Sequence, residues 1–119
     1  MGRIMFQGEP GNDIVSELYP LPEDIVIHKC GNGSFYKTDL EKLLIEKGIT
    51  SLIVTGVTTH VCVQTTIREA NDRGYECLLV DDASAAYDRE DHLASLKMIT
   101  QQGAIFGWTA DTVELLKAK

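Results

Sequence analysis

The fold of this chain is decided by residues 52–63, which read LIVTGVTTHVCV. The run opens with four apolar or β-branched residues, a pattern typical of a parallel strand that is covered on both faces. Gly56 permits a sharp turn after the strand, and residues 61–73 predict a helix that ends at Gly74. Cys62 would then lie in the first helical turn, at the carboxyl end of the sheet, where open α/β sheets bind their ligands.

Outward from this stretch, short apolar runs alternate with amphipathic ones. Three further strands are predicted, at residues 25–28, 77–80 and 104–106. Helices are predicted between residues 38 and 48, over 61–73, over 88–101 and from 109 to 119. Thr38 and Thr109 are the predicted N-caps of the first and last of these helices. The alternation indicates βαβ units, and therefore an α/β fold with a parallel sheet.

The beginning of the chain does not fit this pattern. Residues 1–24 are rich in glycine, proline and acidic residues and are predicted to be mainly loop. Doubly wound α/β folds usually open instead on a strand that becomes the centre of the sheet. We therefore expect the 119 residues to form a single domain whose N-terminal part is incomplete.

The composition argues against several classes of function. With a net charge of −7 and an isoelectric point near 4.8, the chain offers no basic run for nucleic acid or for an acidic membrane surface. No apolar run approaches the roughly 18 residues of a membrane span. The three cysteines lack CxxC spacing, which argues against a disulfide framework or a zinc site. A cytoplasmic, reducing setting is the resulting expectation.

Cys62 and Lys29 hold the positions that point to chemistry. A free thiol with a pKa of about 8.5 is mostly protonated at neutral pH, and the thiolate is the nucleophile. A helix dipole favours the thiolate by roughly 0.3–1 kcal/mol, whereas a cation in contact contributes up to about 4 kcal/mol at an effective dielectric constant near 20. Lys29 directly follows the strand predicted at residues 25–28, so we expect it at the same carboxyl edge as Cys62.

Each candidate also has a purely structural interpretation, because most cysteines are packing residues and most lysines are solvated surface charges. Packing is the favoured role for the other two cysteines, Cys30 and Cys77. A structural or surface role is favoured for the three histidines, His28, His60 and His92. The aromatic residues Tyr87 and Trp108 are candidates for the subunit interface of a homo-oligomer.

Several motifs resemble those of one known family. Residues 56–63 (GVTTHVCV), with TTIREA at 65–70 and Gly74, resemble the signature of the isochorismatase-like cysteine hydrolases. The run IVIHK at 25–29, with SF at 34–35 and TDL at 38–40, resembles the segment that bears the family's lysine, and VDDA at 80–83 matches its next strand end. The resemblance extends from about Gly8 to Phe106 and implies a Rossmann-like three-layer fold. It also implies an Asp–Lys–Cys triad that hydrolyses C–N bonds of small amides and ureides, although isochorismatase itself cleaves a vinyl ether.

The resemblance assigns roles to individual residues. It implies that Cys62 is the nucleophile and that Lys29 is the lysine of the triad. It also implies a cis peptide bond between Val57 and Thr58, and an oxyanion hole made by the N–H groups of Thr58 and Cys62. The family's aspartate ends the first strand, upstream of the lysine, in a segment that this chain does not contain. The available carboxylates fall in the wrong context or align with a different strand end: Asp13, Asp24, Asp81 and Asp82.

Residues 65–79, TTIREANDRGYECLL, most resemble the biuret- and ureide-cleaving amidohydrolases of the family. In that subgroup a glutamine before the last strand contacts the substrate, so Gln102 is a candidate, with an exposed helix-end glutamine as the alternative. Phe35 is a second candidate for the substrate pocket, with simple packing as its alternative. The nicotinamidase branch binds a metal upstream of its lysine, in a region absent here, and we expect no cofactor.

Two hypotheses follow from the sequence. The first is a cysteine-dependent hydrolase of a small amide or ureide, with isochorismatase and nicotinamidase as alternatives within the enzyme class. The second is a catalytically incomplete fragment that persists as a non-enzymatic, oligomeric α/β unit.

Overall fold

The computed structural model describes residues 5–118. The regular elements, in chain order, are the 3-10 turns Pro10–Asn12 and Ser16–Leu18, helix α1 (Leu40–Glu46), strand β1 (Ser51–Val57), the π-helical turn Thr59–Val63, helix α2 (Gln64–Asp72), strand β2 (Glu76–Ala85), helix α3 (Arg89–Ala104), strand β3 (Trp108–Ala110) and helix α4 (Thr112–Lys117). No helix within this described part has the length and apolarity needed to cross a membrane.

The described strands form one parallel sheet in the order β1-β2-β3. Leu52 pairs with Cys77 and Leu79 pairs with Thr109, and the register of β1 against β2 shifts once, just before Gly56. Helix α2 connects β1 to β2 and helix α3 connects β2 to β3, as parallel strands require. The predicted α/β fold with a parallel sheet is confirmed.

One hydrophobic cluster lies between the sheet and its helices. Val63, Ile67 and Ala70 recur at spacings of four and three residues, which places them on one face of the π-helical turn and α2. This face packs into the cluster with Leu79 of β2 and Ile99 of α3. Because α2 follows directly on the turn that carries Cys62, the buried face of α2 also fixes the position of that turn.

Strand β1 is covered on one face only within the described residues. Its burial alternates along the strand, as expected when successive side chains point to opposite faces. Leu52 and Val54 pack against the core cluster, whereas Ile53 is 60% exposed and Val57 is 69% exposed. The predicted burial of both faces is therefore wrong for this chain, since no described element lies over the second face.

Two predicted strands differ from the structure. Residues 25–28 form no strand, and Ile25 and Val26 are about half exposed. A β-branched run becomes a strand only beside a partner for its backbone groups, and in residues 5–118 this segment pairs with none. The last strand lies at Trp108–Ala110 instead of 104–106, because positive φ angles at Gln102, Gly103 and Ala104 end α3 and turn the chain first.

The predicted helix caps are displaced in a similar way. Asp39 precedes α1, although the Thr38 hydroxyl still accepts a hydrogen bond from the Leu40 N–H at 3.3 Å. Asp111 caps α4 through a reciprocal capping box with Glu114, whereas Thr109 lies in β3. Helix α4 ends at Lys117, and residue 119, to which it was predicted to extend, lies outside the described residues.

Candidate active site

Cys62 lies on the π-helical turn that joins β1 to α2. The peptide bond between Val57 and Thr58, which leads into this turn, is cis. The Thr58 carbonyl accepts hydrogen bonds from the N–H groups of Val61 at 3.1 Å and Val63 at 3.3 Å. A single π-helical turn of this kind occurs frequently at functional sites. The turn leaves the Cys62 side chain partly exposed at the carboxyl end of β1.

Lys29 is the residue that the structure brings to Cys62. Its Nζ atom lies 3.7 Å from the Cys62 Sγ atom. The same ammonium group donates hydrogen bonds to the carbonyls of Gly31 at 2.8 Å and Asn32 at 3.0 Å. These three contacts match the three donors of an ammonium group, and a cation beside a thiol favours the nucleophilic thiolate form.

The loop that follows Lys29 packs closely on helix α2. Gly33 is buried, and a Cβ atom at this position would lie 3.0 Å from the Thr65 Cγ2 atom and 3.4 Å from the Glu69 Oε2 atom. Such distances are tighter than those of ordinary carbon contacts, so a glycine allows the loop to approach the helix. This approach brings the lysine to the edge of the sheet although residues 25–28 form no strand.

Arg73 and Phe35 hold the other side of this loop. The Arg73 guanidinium donates to Glu69 at 2.9 Å and to Glu41 of α1, and lies 5.1 Å from the centre of the Phe35 ring. The hydrogen bond to Glu69 and the charge of Glu41 hold the pKa of Arg73 above its usual range. Phe35 also stacks on Tyr75, with ring centres 6.0 Å apart, and is only 5% exposed. Phe35 therefore packs in the core cluster, as its alternative interpretation predicted, and its place in the substrate pocket stays a prediction.

Gln102 lies away from Cys62. It is exposed, has a φ of 53°, and occupies the last turn of α3, just before β3. Because β3 runs parallel to β1, residues that precede it lie toward the amino edge of the sheet, opposite the cysteine. Gln102 is therefore an exposed helix-end residue among the described residues, and its contact with substrate stays a prediction.

Sequence reasoning favoured a structural or surface role for His92 but did not identify its contact. Its Nδ1 atom lies 2.8 Å from the hydroxyl of Thr59, which is fully buried at the start of the π-helical turn. The contact joins the first turn of α3 to the turn of Cys62, and only the packing of the two elements reveals it. His60 lies nearby, with its Nε2 atom 3.8 Å from Asp91, whereas His28 is exposed.

Three of the four carboxylates considered above have local structural contacts. Asp82 accepts hydrogen bonds from the Thr112 N–H at 2.8 Å and the Thr112 hydroxyl at 2.7 Å, and these bonds hold its pKa below the usual range. Asp13 accepts from the N–H of Ile14, and Asp24 from that of Leu21, both within turns. Among residues 5–118, no group of three or more histidine, cysteine, aspartate or glutamate side chains is arranged to hold a metal ion.

The remaining predicted residues divide between core and surface. Cys77 is buried, as predicted, and burial raises the pKa of its thiol. Cys30 is exposed, so its predicted packing role is wrong. Tyr87 is 100% exposed and Trp108 is 55% exposed, which leaves both side chains open to solvent.

Comparison with known proteins agrees with this arrangement of elements. The isochorismatase domain family matches residues 1–111. The ureidoacrylate amidohydrolases RutB of Pantoea ananatis and Acinetobacter baylyi are 34% and 35% identical to the chain over 110 and 112 residues. These matches cover 92% and 93% of this chain but only 43% and 44% of the relatives, so the chain spans less than half of their length. A solved isochorismatase-like hydrolase from Alkaliphilus metalliredigens matches with a TM-score of 0.87 and 31% identity, over 93% of this chain and 59% of that one. The chain therefore belongs to the isochorismatase family.

Proposed function

We propose that this chain is the nucleophile-bearing part of a hydrolase that cleaves the C–N bond of a small amide or ureide. The observation that carries the proposal is the 3.7 Å contact between the Lys29 ammonium and the Cys62 thiol, on a turn at the carboxyl end of a parallel strand. Membership of the isochorismatase family and the similarity to two ureidoacrylate amidohydrolases support this class of reaction.

In the proposed reaction, the Cys62 thiolate attacks the carbonyl carbon of the substrate, and the π electrons of that carbonyl move to its oxygen. The N–H groups of Thr58 and Cys62 bind the oxyanion, and one such donor is worth about 3 kcal/mol in acyl-transfer enzymes. Collapse of the intermediate breaks the C–N bond, and the leaving nitrogen takes up a proton. Water then hydrolyses the thioester or carbamoyl-thio intermediate and regenerates the thiol.

The proton transfers need a general acid and base. As the resemblance implies, we assign them to an aspartate in the part of the relatives that this chain does not span. The Lys29 ammonium stabilises the negative charge of the Cys62 thiolate when it forms. We further propose that the protein acts in the cytoplasm as a homo-oligomer and needs no cofactor.

The second candidate function is a non-catalytic, oligomeric α/β unit. The exposure of Ile53 and Val57 on the open face of β1 favours this alternative, because an apolar sheet face is suited to contact with another chain. It predicts no hydrolysis of any substrate by the complete protein.

A substrate panel with a nucleophile variant decides between the two functions. The complete protein is incubated with ureidoacrylate, biuret, N-carbamoyl amino acids, nicotinamide and isochorismate, and products are quantified. We expect turnover of a ureide, and a loss of about 10³-fold or more in Cys62→Ala. Cys30→Ala, which removes an exposed thiol, is the matched control and should retain activity. Unchanged turnover in Cys62→Ala would contradict the proposal.

A further inference from the structure

We propose that Thr66 is a positioning residue that holds the Lys29 ammonium against the Cys62 thiol. The inference rests on the proposed function, since it concerns how the same two groups are kept in contact. Thr66 is 8% exposed and follows Cys62 by one turn of helix. Among its hydrogen bonds in the described residues, none goes to the Cys62 sulfur or to the Lys29 ammonium. Its hydroxyl instead joins the backbone of Cys62 to the loop of Lys29.

The hydroxyl of Thr66 has contacts on both sides. It donates a hydrogen bond to the Cys62 carbonyl at 2.7 Å. From the opposite side, the Ser34 N–H donates to the same Thr66 oxygen at 3.1 Å, and the Ser34 hydroxyl lies 3.1 Å from it. A hydroxyl has one hydrogen to donate and two lone pairs that accept. Because the Thr66 hydrogen is directed to Cys62, the Ser34 hydroxyl must be the donor, and the Thr66 oxygen is fully satisfied.

This arrangement differs from that of an ordinary helical threonine. A threonine within a helix commonly donates to the carbonyl four residues before it, and that contact alone would carry no function. Here the oxygen also receives two hydrogen bonds from a segment 32 residues away in the chain. The hydroxyl is therefore the junction of two separate segments, one bearing the nucleophile and the other bearing the cation.

The loop transmits this attachment to the lysine. The Lys29 ammonium is bound to the carbonyls of Gly31 and Asn32, so its position follows the position of residues 31–34. The far end of the loop is held as well, because the Thr38 hydroxyl donates to the Ser34 carbonyl at 2.6 Å. Anchoring Ser34 to Thr66 thus determines where the ammonium lies relative to the Cys62 sulfur.

The test measures alkylation of individual cysteines in the complete protein. Iodoacetamide is added at pH 7, and modification of Cys62 and of the exposed Cys30 is followed by peptide mass spectrometry. In the wild type we expect Cys62 to react faster than Cys30. Thr66→Val, which keeps the shape but removes the hydroxyl, should lower the Cys62 to Cys30 rate ratio about three- to tenfold. Thr66→Ser should restore the ratio, and Thr100→Val, at a threonine of α3 whose hydroxyl donates to carbonyls of its own helix, should leave it unchanged.

A double-variant cycle separates positioning from a general effect on folding. If Thr66 acts through the lysine, Thr66→Val should have no further effect on the ratio in a Lys29→Met background. An additive effect there would overturn the proposal. An unchanged Cys62 to Cys30 rate ratio in a Thr66→Val variant that folds normally would overturn it as well. If Thr66→Val does not fold, Ser34→Ala is used in its place, because this variant removes only the hydrogen bond between the two hydroxyls. An unchanged Cys62 to Cys30 rate ratio in Ser34→Ala would again overturn the inference.

The outcome also distinguishes this inference from the proposed function. A wild-type Cys62 that reacts no faster than Cys30 would contradict the activated nucleophile itself. A fast wild-type Cys62 that is insensitive to Thr66→Val would leave the nucleophile in place and contradict only the role of Thr66.

Discussion

Cys62 and Cys77 show how position in one fold gives two thiols different chemistry. Cys62 lies on the turn after β1, partly exposed and 3.7 Å from an ammonium group. Cys77 lies in β2, is 3% exposed and faces the core, where burial raises the pKa of its thiol. Burial disfavours the charged form of a thiol because the interior solvates charge poorly. The same residue type is therefore a candidate nucleophile at one end of the sheet and an apolar packing group within it.

The raised pKa of Cys77 predicts a specific dependence of stability on pH. The neutral thiol stabilises the fold fully below its ordinary pKa of about 8.5, and the contribution is lost as pH rises through the higher folded-state pKa. We expect the wild type to lose more free energy of unfolding as pH rises above about 8.5 than Cys77→Ala does. Urea denaturation at several pH values measures this difference, with Cys30→Ala as the exposed control. Parallel declines in wild type and Cys77→Ala would contradict it.

The elements that the sequence predicted correctly are those defined by a continuous local pattern. The apolar run of β1, the helix after it and the apolar run of β2 all appear close to their expected positions. The segment 25–28 has an equally good local pattern but no partner strand within residues 5–118, so its conformation depends on what lies beside it. The approach of Lys29 to Cys62 was expected from the order of the elements, whereas other contacts between distant elements were beyond sequence reasoning for the same reason. The bonds of Thr59 to His92 and of Ser34 to Thr66 arise only from packing.

Asp82 links two elements, and its lowered pKa predicts how the link responds to acid. Its carboxylate accepts two hydrogen bonds from Thr112, at the first turn of α4, while its backbone lies in β2. A lowered folded-state pKa contributes stability above the ordinary carboxyl pKa of about 3.9, and the contribution is lost as pH falls through the folded value. We expect Asp82→Asn to be less stable than wild type at pH 7 and to approach it as pH falls below about 4. Asp81→Asn is the neighbouring control, and a gap that persists unchanged in acid would refute the link.

At the scale of the whole chain, the described hydrophobic core covers only one face of strand β1. Helix α2 packs Ile67 and Ala70 against the inner face, while Ile53 and Val57 on the outer face remain exposed. The chain spans less than half the length of the ureidoacrylate amidohydrolases that it resembles. The stability of these 119 residues should therefore depend on one layer of contacts between the sheet and its helices.

Two isoleucines test this one-sided core directly. In the 119-residue chain, Ile67→Ala removes a side chain with 0% exposure and should cost about 2–5 kcal/mol of the free energy of unfolding. Ile53→Ala removes the same atoms from a side chain that is 60% exposed, and should cost no more than about 0.5 kcal/mol. Urea denaturation of both variants, followed by circular dichroism, measures the two costs on one scale. Equal costs would mean that the outer face of β1 is covered in solution. A cost at Ile53 that rises with protein concentration would identify the cover as a second copy of the chain.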